Sequence, residues 1–104
     1  MNNVKLDALN IETMHSGRAC LNLTSGINWE DFPDYAKKVL NLLNGRIEKK
    51  SDSIDIRIWE VTIDNEIFHL TFDDFPVMVS IESLTQKGDS LLSDFKIKLT
   101  KQDI

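Results

Sequence analysis

The sequence predicts an α+β fold, an antiparallel sheet of five or six strands with two helices packed on one face. Three observations lead there. Short runs of alternating apolar and polar residues recur along the chain, joined by turn-forming residues. Residues 28–44 carry an apolar stripe at helical spacing, and a second stripe lies near the C-terminus. Because short turns join antiparallel neighbours, such a run of hairpins cannot build a parallel, doubly wound sheet. The 104 residues suit one domain, 1–104, and the 41% that are hydrophobic are enough to close one core.

The first element reads as a pair of short strands. Leu9 and Ile11 alternate with Asn10 and Glu12, then Leu21 and Leu23 with Asn22 and Thr24. His15-Ser16-Gly17 supplies turn chemistry between them, and Ser25-Gly26 ends the second. In the helix that follows, Asn28 is a capping residue, and Glu30, Asp31 and Asp34 place negative charge at the positive end of the dipole. Pro33 fits only in a first turn, which makes Trp29 to Phe32 a separate turn ahead of the regular helix. Phe32, Ala36, Val39, Leu40 and Leu43 form the buried stripe, Lys37, Lys38 and Asn41 lie off it, and Asn44-Gly45 is the stop.

Arg46 to Lys50 reads as an edge strand whose charges resist aggregation, turning at Ser51-Asp52-Ser53. The best-specified element is a hairpin between Trp59 and Phe72. With Asp64 to Ile67 as its loop, Trp59, Val61 and Ile63 lie opposite Phe72, Leu70 and Phe68, all on one face. Thr62 opposite His69 and Glu60 opposite Thr71 occupy the other face. Ile54, Ile56 and Ile58 alternate on the opposite phase from Trp59. That calls for a bulge near Ile58, for cover on both faces, or for an exposed strip used by a second subunit. After the loop Asp73-Asp74-Phe75-Pro76, Val77, Val79 and Ile81 form another strand, and Lys87-Gly88-Asp89-Ser90 breaks the pattern.

Segment 90–101 is open between two readings. Leu91, Leu92, Phe95 and Leu99 fit a helix capped by Asp89 or Ser90, whereas Phe95 to Leu99 also alternates as a strand would. The helix is favoured, because the cap is well placed and lysines near its end complement the dipole.

Charge narrows the function classes. The chain has 12 basic and 17 acidic side chains, a net charge of -5, and a pI near 4.9. Residues 1–53 hold seven of each sign, so the whole excess sits in the second half, with eight carboxylates between Ile58 and Phe95 against Lys87 alone. Such a surface repels phosphate and attracts basic partners or cations, although a plain solubilising face has the same composition. Nucleic acid would need a basic patch built from Lys37, Lys38, Lys49 and Lys50. The single Cys20 cannot form an internal disulfide and suits a reducing, cytoplasmic setting. No apolar run approaches the roughly 20 residues that span a bilayer, and no apolar stretch follows Met1-Asn2-Asn3-Val4-Lys5 as a signal peptide requires.

Candidate chemistry is sparse. His69 sits on the polar hairpin face with Glu60 and Asp64 at diagonal positions, and neighbouring carboxylates favour a protonated, acid–base histidine. A surface histidine making cross-strand contacts is the plainer reading. Cys20 lies within a strand and lacks the activating base and exposure of a catalytic thiol. One Cys and two separated His give no tight zinc site. Glu82 is expected far from Asp73-Asp74, which weakens a three-carboxylate site, and Asp64-Asn65-Glu66 is a hairpin loop rather than a calcium loop. No glycine-rich phosphate loop, hydrolase signature or cofactor motif is present.

Asn28-Trp29-Glu30-Asp31-Phe32-Pro33 and Phe72-Asp73-Asp74-Phe75-Pro76, with the following Ser80-Ile81-Glu82-Ser83, resemble a small bacterial single-domain family of unknown function. The resemblance implies a bacterial cytosolic origin and supplies no catalytic residues.

The function expected from these readings is a non-enzymatic protein-interaction module (regulator, adaptor or inhibitor). It sets an acidic surface containing Asp73, Asp74 and the aromatic Trp29 against a basic protein partner. A self-associating version is a homodimer through Ile54, Ile56 and Ile58. The alternative is a small-molecule site or weak acid–base enzyme around His69, with Glu60 or Asp64 orienting it.

Overall fold

The computed structural model describes residues 5–74 and 76–101. Its elements run β1 (Asn10–Thr13), β2 (Ala19–Thr24), α1 (Phe32–Leu43), β3 (Arg46–Asp52), β4 (Ile56–Ile63), β5 (Glu66–Asp74), β6 (Val77–Ser83) and α2 (Gln86–Thr100). The strands form one sheet in the order β1-β2-β6-β5-β4-β3, with every neighbouring pair antiparallel. This is the α+β architecture the alternation predicted.

Both helices cover the same face. Leu21 and Leu23 of β2, Trp59, Val61 and Ile63 of β4, Phe68, Leu70 and Phe72 of β5, and Val79 and Ile81 of β6 are all buried beneath them. The expected α1 stripe is buried in full, with Tyr35 added. Ahead of it, the Asn28 side chain accepts the Asp31 N–H at 2.9 Å, which closes the separate turn that Pro33 demands. Asn44, rather than Gly45, takes the left-handed conformation that ends the helix (φ 57°). The turn between β1 and β2 is closed by Gly17, with φ 89° and its N–H on the Met14 carbonyl.

Four local expectations need correction. The β4–β5 hairpin turns on two residues, Asp64 and Asn65, both left-handed (φ 54° and 64°), which is the type I′ geometry that matches strand twist. Its register is therefore Trp59↔Leu70, Val61↔Phe68 and Ile63↔Glu66, two residues from the four-residue-loop register. A shift of two keeps every side chain on its face, so the expected apolar and polar sets stand. Ile56 and Ile58 do not require a bulge. β4 alternates without interruption, with Arg57, Trp59, Val61 and Ile63 toward the helices and Ile56, Ile58 and Glu60 on the open face. The bulges are in β3 and β2 instead. Ile54 precedes β4 and is 96% exposed, while Ile56 and Ile58 are partly covered at 36% and 39%.

Segment 90–101 is helical through Thr100, and the helix begins before the expected cap. Thr85 is the N-cap, its hydroxyl accepting the Gly88 N–H at 2.9 Å and donating to the Glu66 carboxylate at 2.6 Å. Asp89, one turn in, accepts the Ala19 N–H at 2.9 Å and faces Arg18 at 3.4 Å, which ties α2 to β2. Finally, Asp73 and Asp74 extend β5, pairing with Met78 and Val77, rather than opening a loop. Phe75, in that expected loop, lies outside the described residues, as do Met1 to Val4.

Candidate functional site on the helix-free face

The face that neither helix covers gathers the polar side chains of the sheet. Strand pairing aligns one residue from each strand in a transverse row: Glu12, Cys20, Glu82, His69, Glu60 and Lys49. A parallel row runs Asn22, Ser80, Thr71, Ile58 and Ser51. Its centre is buried although no helix lies above it. Ser80 donates to the Asn22 side-chain oxygen at 2.6 Å, the Asn22 amide donates to the Glu12 carboxylate, and Thr71 donates to the Ser80 carbonyl at 3.4 Å. These small side chains form a saturated polar floor, which removes the cost of burying them unpaired.

Larger residues stand around that floor. Met14, Ile56, Met78, Asp73 and Glu82 border a trough of about 330 Å³, and Ile58 links it to a second concavity of about 230 Å³ bordered by Lys49, Glu60 and His69. All of these residues come from the sheet or, for Met14, the β1–β2 turn, so the trough has a floor and walls but no roof.

Burial pushes the Glu82 carboxyl above the usual range, with the charge of His69 across the strand pair opposing this. Burial also raises the Cys20 thiol, and Glu12 and Glu82 add to it, so Cys20 stays protonated and is a poor nucleophile. The Glu82 shift gives a signed prediction. A carboxyl whose folded pKa is raised costs stability where it is ionised, fully above that pKa and not at all below its unfolded value of about 4.3. Glu82→Gln is therefore expected to raise the melting temperature by a few degrees at pH 7, and the gain should vanish as the pH falls below about 4. Partial exposure keeps the effect small. A gain that stays constant from pH 4 to 8 in thermal melts would contradict the assignment.

The structure joins some expected site residues and separates others. Glu60 lies directly opposite His69 rather than diagonal to it, because of the two-residue register shift. Asp64 sits at the hairpin turn, 3.9 Å from Lys98 of α2, away from the row. Asp73 borders the trough, while Asp74, the next residue along the strand, projects to the other side. Trp29 belongs to the helix-covered side. Its ring meets Phe72 edge-on at 6.0 Å, and the Arg57 guanidinium lies 4.0 Å above it while donating to the Trp29 carbonyl. Arg57 in turn pairs with Asp52 at 2.9 Å, and Asp52 also accepts the Trp59 indole N–H at 3.0 Å, so this cluster staples α1 to the sheet edge. Lys49 and Lys50 project to opposite faces, Lys50 lying over the Trp59 ring, which divides the expected basic patch.

Asn22 and Ser80 are residues that sequence reasoning passed over, and Glu82 was weighed there only as a third carboxylate beside Asp73-Asp74. The signal was present in the phase of their strands: wherever Ile81 and Leu21 face the helices, Glu82, Ser80 and Asn22 must face away. Among the described residues, no three His, Cys, Asp or Glu side chains come together as a metal-holding group, and no helix is long and apolar enough to cross a membrane.

Comparison with known proteins agrees with the resemblance seen in the two Phe-Pro motifs. No curated protein and no solved structure matches the chain. A family model described as "Protein of unknown function (DUF3630)" matches residues 9–101, nearly the whole chain including all eight elements, and the protein therefore belongs to the DUF3630 family.

Proposed function

We propose that this protein is a non-enzymatic interaction module, a regulator, adaptor or inhibitor, that receives a protein partner on the helix-free face of its sheet. One observation carries this reading. An unroofed trough with the apolar residues Met14, Ile56, Ile58 and Met78 has Asp73, Glu82 and Glu60 at its margins. Exposed apolar surface rimmed by charge is the composition of a docking face, and carboxylates there favour a basic partner.

The acid–base alternative has a specific observation in its favour, the histidine between Glu82 and Glu60 in one row. An open trough weakens it, because acid–base chemistry gains most where walls exclude water and position a substrate.

The test uses affinity capture from native lysate with the wild-type chain, Ile58→Glu and the helix-side control Lys37→Glu. A partner held by wild type and the control should be reduced about tenfold or more by Ile58→Glu, since a buried charge replaces an apolar contact. Asp73→Asn should weaken the complex more than Asp74→Asn, and added salt should weaken it as well. A partner indifferent to Ile58→Glu and to salt would move the binding surface elsewhere.

A further inference from the structure

We infer that the element of the partner seated in the trough is a short amphipathic helix with lysine or arginine flanking its apolar stripe. This rests on the docking reading above. Three properties of the face point to that occupant.

The first is the state of the sheet edges. Partners that add a strand need a long, regular, unpaired edge. Here β1 offers only Asn10–Thr13, and β3 carries Arg46, Glu48, Lys49 and Lys50 and is bulged between Ile47 and Lys49. The face, rather than an edge, is the surface available.

The second is length and direction. The two concavities join at Ile58 and cross the sheet from Cys20 on β2, over β6, β5 and β4, to Lys49 on β3. Four strand spacings amount to roughly 19 Å, which about 13 helical residues would span. Methionines at positions 14 and 78 give the walls the adaptability that helix-binding grooves use.

The third is charge. Asp73, Glu60 and Glu82 border the trough, and Lys49 is the one lysine or arginine among the described lining residues. A second copy of this chain laid face to face would oppose carboxylates with carboxylates, and nucleic acid would bring phosphates to them. A basic helix instead sets opposite charge against this acidic margin, its apolar stripe meeting Ile56, Ile58 and Met78.

The experiment is an NMR titration of the isotope-labelled full chain with three synthetic 14-residue peptides. The first is a helix-forming leucine–lysine peptide with one apolar stripe. The second has the same composition reordered to abolish the stripe, and the third has glutamate in place of lysine. The first should shift amides of residues 56–60, 69–73 and 78–82 and bind about tenfold tighter than either control, losing affinity severalfold with added salt. Equal binding of the first and second peptides, or shifts confined to α1 and α2, would overturn the helix assignment. Shifts in the same strands that depend on protein concentration alone would overturn it in favour of a second copy. The two levels separate cleanly. If Ile58→Glu abolishes partner capture while the peptides are indistinguishable, the docking face stands and the helical occupant falls.

Discussion

Phe72→Ala is expected to destabilise the fold by about 3–5 kcal/mol, the range for deleting a buried aromatic ring. Phe72 is fully buried on β5, between Arg57 of β4 and Val79 of β6. Its ring lies 5.8 Å from that of Phe32 at the start of α1 and 6.0 Å from Trp29 in the preceding turn. Collapse into the vacated space is hindered because neither neighbour is free to move. Phe32 is wedged edge-on against Trp59 at 4.9 Å, and Trp29 is held beneath Arg57. Urea unfolding should show a lower midpoint with an unchanged slope. A loss below about 1 kcal/mol would mean that the ring is not part of a close-packed core.

Gly88→Ala is the second large effect, and here two terms compete. Alanine in a helix interior is favoured over glycine by about 0.8–1 kcal/mol. Against that, a Cβ at position 88 would lie 2.6 Å from Ser83 Oγ, 3.1 Å from Phe68 Cε2 and 3.2 Å from Thr85 Oγ1. None of the three can yield cheaply. Ser83 Oγ donates to the Thr85 carbonyl at 2.7 Å, Phe68 is fully buried against Phe95, and Thr85 Oγ1 is the helix cap. Overpacking of this kind costs about 1–3 kcal/mol, and losing the cap adds about 1 kcal/mol. The net expectation is a loss of about 1–3 kcal/mol, or a melting temperature lower by about 5–15 °C. An unchanged or higher melting temperature would show that the start of α2 can lift from the sheet without penalty.

The same glycine shows where sequence reasoning stops. As a sequence, Lys87-Gly88-Asp89-Ser90 has the composition of a break, and Asp89 resembles a cap. Folded, the glycine leaves no room for a side chain between α2 and Ser83 and Phe68 of the sheet, and Asp89 reaches across to Ala19. Tertiary contact decides the role, and local propensity cannot carry that information. Strand existence and facing were readable because the side-chain period is two, a property of each strand alone. Register was less so: Asp64-Asn65 and Asp64 to Ile67 give the same faces and differ only in turn length. The candidate site was readable in part. His69 and Glu60 share one hairpin, so their proximity follows from local pairing. Glu82 joins them through the next pairing along the chain, β5 with β6, whereas Asn22 and Cys20 arrive only through the β2–β6 pairing, in which Asn22 meets Ser80 58 positions along the chain. No periodicity in one segment reports which distant segment will lie beside it.

That pairing also bears on the birth of the protein. β2 is flanked by β1 and β6, and its inner neighbour is the last of the described strands. During synthesis, the meander from β3 to β6 follows β2 and can assemble in order of emergence, each strand beside the one before it. β2, by contrast, emerges early and waits for β6, roughly 3–12 s at ordinary elongation rates. Through that interval Leu21 and Leu23, destined for the core, have only the short β1 hairpin beside them. The inner edge of β2 therefore stays open until β6 arrives, which makes closure of the sheet depend on a strand synthesised well after it.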